Sequence, residues 1–200
     1  VEPAPVEIAL EKNLPVASGI GGGSADAAAT LLALREFWQS EIDLVPFSEQ
    51  LGADVSMCLK SRPLRAQGIG HQLQELVLDQ PLNLVLANPG VSLPTPDVFA
   101  ALMQKENSPI SENNLKAVPA IPDLKALRND LEQPAFNLSP VITEVREAIT
   151  HHGSMLTRMS GSGATCFGIF DTAQAAMSAA EAIQKTHPDW WCVATDTIVS

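Results

Sequence analysis

The residues with the clearest chemical potential are four closely spaced glycines and the serine that follows them. They lie in the run Pro15-Val16-Ala17-Ser18-Gly19-Ile20-Gly21-Gly22-Gly23-Ser24-Ala25, directly before an alanine-rich apolar segment. Glycine permits backbone angles that are closed to other residues. Ser24 is a favoured N-cap type, and residues 25–39 contain no Gly or Pro. Because a helix N-terminus carries unpaired N–H groups and partial positive charge, the pattern predicts a loop that binds nucleotide phosphates.

Two familiar phosphate-binding loops do not match this run. A Walker loop ends in Gly-Lys-Ser/Thr, and no lysine follows Gly23. A dinucleotide fingerprint requires glycine at the position that Ser24 occupies here. A flexible Gly/Ser linker is the remaining alternative, but such linkers are not normally followed at once by a strong apolar helix.

Asp54 is the second residue that could take part in chemistry. It lies between small and apolar neighbours in Leu51-Gly52-Ala53-Asp54-Val55, so we expect it to be partly buried. A buried carboxylate requires a partner or a function. A capping aspartate at a helix start is an equally good interpretation of the same residues.

A second glycine-rich segment, Ser160-Gly161-Ser162-Gly163, precedes the apolar run Cys166-Phe167-Gly168-Ile169-Phe170. By itself it is weak evidence, because the same residues suit a hairpin turn. If both glycine-rich segments belong to one site, the fold must bring the two halves of the chain together.

Composition limits the class of protein. The chain has 200 residues, 46% of them hydrophobic, which is enough for a folded core, and a formal net charge of −11. This acidic balance argues against nucleic acid as a partner. The scattered cysteines (Cys58, Cys166 and Cys192) and the lack of a long apolar run indicate a cytoplasmic protein with reduced thiols and no membrane span. The pair His151-His152 is better explained by a helix C-terminus than by a metal site.

The elements predicted around these residues alternate between strands and helices. Strands are predicted at residues 6–10, 63–70, 73–78, 82–88, 166–170 and 191–199, and helices at 24–39, 96–104, 172–185 and from residue 139. The segment 41–52 reads as a polar connection that Pro46 interrupts, and residues 105–123 as a surface loop. This order favours an α+β fold with helices packed on mainly antiparallel sheets.

Several segments of the chain resemble motifs of a known family. Residues 15–29 resemble the second motif of the GHMP kinases (galacto-, homoserine, mevalonate and phosphomevalonate kinases), and residues 156–170 closely resemble the third. Gly52-Ala53-Asp54-Val55-Ser56 is similar to the family's Gly-Ala-Asp-Val-Pro segment, with Ser56 where proline is usual. The Pro89-Gly90-Val91 turn and the loop to Phe99 also resemble a family segment.

The resemblance implies a two-domain kinase, with an ATP-binding domain at residues 1–78 and a C-terminal GHMP-kinase domain at 79–200. It implies that main-chain N–H groups of residues 19–25 hold the β- and γ-phosphates of ATP, with Ser24 on the phosphate or on Mg²⁺. Asp54 would be the catalytic base, and residues 160–163 would support the phosphate loop.

Thr95 and Phe99 would line the site of a cytidine diphosphate-linked methylerythritol, the substrate of the members that this chain resembles most. Alternatively, Phe99 is a core residue of the helix predicted from Pro96.

Three expectations stay open at the level of sequence. The family carries a preceding segment with a β-strand lysine, which we expect this chain to lack by comparison, and the connection at 41–52 is short. The rival functions are another GHMP small-molecule kinase, of homoserine or mevalonate type, and an inactive nucleotide-binding fragment. The protein would be a monomer or a homodimer without nucleic-acid partners.

Overall fold

The computed structural model describes residues 4–68, 70, 72–108 and 120–199, which divide into two compact units. Among the described residues, the first unit contains 4–14 and those between 21 and 76, and the second contains 15–20 and those between 77 and 199. The main division therefore falls two residues before the predicted boundary at 78/79. The short segment Pro15–Ile20 belongs with the second unit, which no linear division of the chain anticipates.

The described residues of the first unit form three helices and a two-stranded hairpin. The helices are α1 (Gly22–Phe37), α2 (Val45–Leu51) and α3 (Ala53–Lys60), and the antiparallel strands are β1 (Leu64–Gln67) and β2 (Gln72–Glu75). Its buried apolar residues are Ala28, Leu44 and Val55. The fully buried Ser48 on α2 shares a 2.8 Å hydrogen bond between hydroxyls with Ser56 on α3. The serine that departs from the family pattern therefore ties two helices together.

The second unit is built on a four-stranded antiparallel sheet with the strand order β4-β5-β3-β6. The strands are β3 (Asn83–Asn88), β4 (Leu156–Met159), β5 (Cys166–Phe170) and β6 (Trp191–Asp196). Val85 lies opposite Gly168 on one side and Ala194 on the other. Strand β3, distant in sequence from all its neighbours, is thus central to this sheet.

The described residues of the second unit also form five helices: α4 (Thr95–Ala100), α5 (Ile121–Lys125), α6 (Glu132–Leu138), α7 (Val141–His151) and α8 (Ala173–Thr186). Helix α7 buries Ile142, Val145 and Ile149 at helical spacing, as its sequence pattern predicts. Helix α8 buries three alanines and Ile183, and small side chains let a helix approach its neighbours closely. These helices and the sheet form the largest core of the described chain.

Helices and antiparallel sheets confirm the predicted fold class, but several local predictions are wrong, among them the end of the helix predicted at 96–104, since α4 ends at Ala100. Residues 6–10 form no strand and expose Val6, Ile8 and Leu10, because no described strand pairs with them. Pro46 does not interrupt its segment; it lies in the first turn of α2, where the missing N–H breaks no helical bond. In the predicted loop at 105–123, residues 109–119 lie outside the described residues, and α5 occupies the end.

Among the described residues, no helix combines the length and apolar character needed to cross a membrane.

Candidate functional site

The phosphate loop, residues 15–25, turns into α1 through two glycines with positive φ. Gly19 has φ +74° and Gly21 has φ +70°, a region that favours glycine. Gly21 is the N-cap of α1, and its carbonyl accepts the first helical bond from the Ala25 N–H at 2.9 Å. The helix therefore begins at Gly22, and Ser24 lies inside its first turn.

Ser24 was expected to cap this helix, and that expectation is wrong. Gly21 occupies the cap position and has no side chain, so no side-chain hydrogen bond caps α1, and its first turn contains no acidic residue. The first N–H groups of the helix stay available to a ligand. An uncapped N-terminus without a neutralising carboxylate is a suitable environment for phosphate oxygens.

Lys12 adds positive charge beside the first turn of α1. Its ammonium forms an ion pair with the Asp26 carboxylate, and a Cβ built at Gly22 would lie 4.0 Å from the Lys12 Nζ. Exposed ion pairs contribute little stability, about 1 kcal/mol at most. The position of the Lys12 ammonium beside the loop is therefore more informative about function than the stability that its ion pair with Asp26 adds. Sequence reasoning missed Lys12 because a single lysine before the glycines forms no recognisable spacing.

The serine–glycine loop, residues 160–163, packs directly against the phosphate loop within the second unit. The Ser160 hydroxyl donates to the Gly19 carbonyl at 2.8 Å, and the Thr165 N–H donates to the Ser18 carbonyl at 3.2 Å. A Cβ at Gly19 would lie 2.4 Å from the Ser160 carbonyl oxygen, and one at Gly161 would lie 2.9 Å from the Gly19 oxygen. Both loops must therefore carry glycine at their closest approach.

Asn129 supports the serine–glycine loop from its other side. Its side-chain amide donates to the Met159 carbonyl at 3.0 Å and to the Gly161 carbonyl at 2.8 Å, while its oxygen accepts from the Leu131 N–H. One side chain thus fixes both ends of the turn that faces Gly19. From sequence alone, the polar pair Asn129-Asp130 is expected only to cap or buttress neighbouring helices, because the partners of Asn129 at 159 and 161 lie about 30 positions away.

Thr95 also contacts the serine–glycine loop. Its hydroxyl shares a 2.7 Å hydrogen bond with the hydroxyl of Ser162, whose residue is 8% exposed. A Cβ at Gly163 would lie 2.9 Å from the Met159 sulfur, so this position is also tightly packed. The structure therefore brings together a residue predicted to contact substrate and residues predicted to support the phosphate loop.

Phe99 lies on α4 with 52% of its surface exposed, whereas its neighbour Val98 is fully buried. The alternative that Phe99 is a core residue is therefore wrong: Val98 fills that position, and the ring is free to contact a ligand. An exposed phenylalanine ring is a suitable stacking surface for a nucleobase.

Asp54 is the second residue of α3 and is exposed, so the expectation of partial burial is wrong. Its apolar neighbours point elsewhere because successive helical residues occupy different faces, and Val55 is the one that enters the core. No side-chain bond caps α3, whose N-cap is Gly52. Burial and, secondarily, the Asp54 carboxylate raise the pKa of the Cys58 thiol one turn later.

Magnesium fits this chain only as an ion held largely by phosphate oxygens. The described residues contain no cluster of three or more His, Cys, Asp or Glu that could hold a metal. Mg²⁺ in kinase sites typically keeps waters and substrate phosphates as ligands, with few protein groups. The Ser24 hydroxyl is a protein oxygen at the start of α1 that fits this limited role. His152, in contrast, is hydrogen-bonded through Nδ1 to the Ala148 carbonyl oxygen, as expected at a helix end.

Comparison with known proteins establishes the family. Residues 2–62 match the GHMP kinases N terminal domain, and residues 115–189 match the GHMP kinases C terminal domain. The chain belongs to the GHMP kinase family. Its small-molecule kinase character follows from that membership, since the family phosphorylates small molecules.

Two of the many similar curated proteins illustrate the likeness. A protein of Cereibacter sphaeroides is 50% identical over 196 residues, covering 92% of this chain and 68% of the relative. One of a Chelativorans species is 47% identical over 202 residues, covering 98% and 69%. Both are named 4-diphosphocytidyl-2-C-methyl-D-erythritol kinase.

A solved structure supports the same likeness. The crystal structure of a 4-(cytidine 5'-diphospho)-2C-methyl-D-erythritol kinase superposes with a TM-score of 0.79 at 36% identity. The match covers 94% of this chain and 69% of the solved one. This GHMP kinase chain therefore corresponds to about two thirds of the length of the proteins that it resembles.

Proposed function

We propose that this GHMP kinase transfers the γ-phosphate of ATP to the 2-hydroxyl of 4-diphosphocytidyl-2-C-methyl-D-erythritol. The observation that carries the proposal is the 47–50% identity, over more than nine tenths of this chain, to proteins named for that substrate. The product would serve the non-mevalonate route to isoprenoid precursors. The three free cysteines suit the cytoplasm as the compartment, and we retain a monomer or homodimer as the expected state.

The phosphate loop supports the ATP half of this reaction. Residues 15–25 would surround the β- and γ-phosphates, with N–H groups of residues 19–24 as donors, because the start of α1 is uncapped. The Ala25 N–H, which the family resemblance includes, already donates to the Gly21 carbonyl. The loop is held in shape by Ser160 and Thr165 before any ligand arrives. Preorganised donors favour phosphoryl transfer because they need little rearrangement as charge moves. When bound with the nucleotide, Mg²⁺ would neutralise part of the phosphate charge.

Asp54 would be the general base. The substrate hydroxyl oxygen forms a bond to the γ-phosphorus, the bond from that phosphorus to the β-bridging oxygen breaks, and ADP leaves. The hydroxyl proton passes to the Asp54 carboxylate. Its exposure on the first turn of α3 supports this role, because a base must be accessible to the proton that it accepts.

Thr95 and Phe99 would contact the cytidine side of the substrate. The Phe99 ring is exposed and would stack on the cytosine base. The Thr95 hydroxyl is already hydrogen-bonded to Ser162, which orients it before substrate binds. The serine–glycine loop would therefore support both the ATP side and the substrate side of the second unit.

Turnover of ATP with 4-diphosphocytidyl-2-C-methyl-D-erythritol tests the proposal, with Asp54→Asn and Glu49→Gln compared with the unmodified chain. We expect Asp54→Asn to lower kcat by about 10²–10⁴-fold with little change in ATP affinity. Glu49 is an exposed carboxylate on α2 of the same unit, and its neutralisation should leave kcat unchanged.

The other outcomes separate the rival functions. Phosphorylation of homoserine or mevalonate in place of the cytidyl compound would overturn the substrate while leaving the kinase family intact. ATP binding without turnover of any of these alcohols would identify the chain as a nucleotide-binding fragment.

A further inference from the structure

Thr165 is a fully buried residue whose polar groups contact three separate segments of the second unit. Its N–H donates to the Ser18 carbonyl of the phosphate loop at 3.2 Å, and its carbonyl accepts from the Ser160 N–H at 2.9 Å. Its hydroxyl oxygen accepts from the Asn88 side-chain amide at 2.9 Å. A single residue thus joins the phosphate loop, the serine–glycine loop and the end of β3.

Asn88 extends these contacts towards the predicted substrate loop, residues 91–99. It is the last residue of β3, is 1% exposed, and accepts a 2.8 Å hydrogen bond from the Gly90 N–H through Oδ1. That bond fixes the Pro89-Gly90 turn from which the substrate loop begins. The same side-chain amide therefore holds the substrate loop at one end and Thr165 at the other.

Buried polar side chains are unfavourable unless they are hydrogen-bonded, and both of these are. Among the described residues, no buried side-chain nitrogen or oxygen lacks a partner. A valine at position 165 would fill similar space without a polar group. The hydroxyl is therefore better explained by the geometry that it fixes than by packing, since hydrogen bonds are directional and strong in a low-dielectric interior.

We propose that Thr165 and Asn88 are positioning residues that set the phosphate loop and the substrate loop for the same reaction. The inference rests on the proposed function, because it assigns ATP to one loop and the cytidyl compound to the other. Neither side chain touches a reacting atom in this scheme. Each acts through backbone groups of residues that do, through Ser18 on the ATP side and Gly90 on the substrate side.

The test compares Thr165→Val, which removes the hydroxyl at nearly constant volume, with Thr165→Ser, which retains it. We expect Thr165→Val to weaken ATP binding in calorimetry about tenfold and to raise KM for both substrates about tenfold. For Thr165→Ser, the ATP dissociation constant and the KM values for both substrates should stay within about twofold of those of the unmodified chain. The constants are measured at a temperature at which thermal melts show every variant to be more than about 95% folded, so that a loss of stability alone would not change them.

Asn88→Ser and Asn83→Ala form the matched pair on β3. Asn83 lies at the opposite end of the strand, where its amide donates to the Asp171 carbonyl. We expect Asn88→Ser to reproduce the Thr165→Val effects and Asn83→Ala to change none of the three constants. This pair also keeps the proposal testable if Thr165→Val does not fold.

A purely structural role predicts that the variants melt at lower temperatures while the ATP dissociation constant and both KM values stay within about twofold of those of the unmodified chain. That outcome would overturn the proposal. A change in the ATP constants alone would overturn the substrate half. If the unmodified chain does not phosphorylate the cytidyl compound, the proposed function fails, and the calorimetric ATP titration still decides the role of Thr165.

Discussion

Phe99 and Val98 are adjacent on α4 and should respond to substitution in opposite ways. Phe99 is half-exposed and Val98 fully buried. Phe99→Ala should raise KM for the cytidyl substrate by about 5–150-fold, the equivalent of about 1–3 kcal/mol of lost base stacking, with KM for ATP unchanged. Steady-state kinetics with each substrate varied in turn measures both constants.

Val98→Ala is the control for that prediction. Removing two buried methyl groups should lower the free energy of unfolding by about 2 kcal/mol while both KM values stay unchanged. The stacking role of Phe99 would be wrong if its replacement changed stability and left the KM for the cytidyl compound as it was.

The sequence identifies candidate residues but does not predict whether their side chains are exposed. The residue types at positions 54 and 99 indicated chemistry, but the sequence could not say that Asp54 is exposed or that Phe99 is not in the core. Exposure depends on which face of a short helix meets the rest of the unit, and that is a tertiary property. Thr165 gave no signal, because a threonine before a strand is ordinary until Asn88 and Ser18 are seen beside it.

At the scale of elements, the first turn of α1 allows stability and ligand binding to be separated. A Cβ at Gly23 would meet nothing within 4 Å, and the residue is helical, so Gly23→Ala should stabilise the free protein by up to about 1 kcal/mol. The same methyl group would obstruct phosphate approaching the N–H groups. We therefore expect a higher melting temperature and weaker ATP binding, measured by calorimetry.

Ser178→Ala is the matched control for this helix prediction. Ser178 is exposed on α8, and alanine there raises helix propensity without approaching the phosphate loop. It should raise the melting temperature and leave ATP affinity unchanged. Equal ATP affinity in Gly23→Ala and the unmodified chain would contradict phosphate binding at the start of α1.

Gly19 and Gly21 have similar positive φ angles but different surroundings, so alanine should affect them unequally. At Gly21 a Cβ meets nothing within 4 Å, and only the strained backbone remains, about 1–2 kcal/mol. At Gly19 the Cβ would also collide with the Ser160 and Gly163 carbonyl oxygens. In thermal unfolding, Gly19→Ala should melt at a clearly lower temperature than Gly21→Ala. Equal melting temperatures would mean that the phosphate loop and the serine–glycine loop do not pack as described.

Most elements follow from local pattern, and the exceptions have physical reasons. Helices are predicted from residue 139 and over 172–185, and the structure has α7 and α8 there; Thr172 caps α8 by accepting from the Ala175 N–H. Residues 6–10 alternate as a strand does, but alternation specifies only which face would be buried. A strand also requires a partner for its backbone groups, and the described residues provide none there.

At the scale of the whole molecule, the assignment of residues 15–20 to the second unit could not be derived from sequence. It follows from bonds such as that between Ser160 and Gly19, which join residues 141 positions apart. The sheet order β4-β5-β3-β6 has the same long-range character. The family motifs predicted that the two glycine-rich segments act together, because a resemblance carries tertiary information that periodicity does not.

Buried thiols make the stability of the second unit sensitive to alkaline pH. Burial raises the pKa of Cys166 to about 12 and that of Cys192 to about 11, from the ordinary value of 9.0. Above pH 9 the unfolded chain loses these protons while the folded chain keeps them. Stability is therefore fully present below pH 9 and falls between pH 9 and the folded values. The fall is up to about 1.4 kcal/mol per pH unit for the buried Cys166, and smaller for Cys192, because solvent screens its partly exposed thiol.

Urea unfolding at pH 8, 9, 10 and 10.5 measures this dependence, with Trp190 as a buried fluorescent reporter in the same unit. The chain has no tyrosine, so no phenol titrates in this range. Cys166→Ala should be less stable at pH 8, because a buried sulfur is lost, but its stability should fall less steeply with pH. Cys58→Ala, in the first unit, should leave the slope for the second unit unchanged. Equal slopes in the Cys166→Ala variant and the unmodified chain would mean that Cys166 ionises as readily in the folded protein as in the unfolded one, which its complete burial against the Ile142 carbonyl opposes.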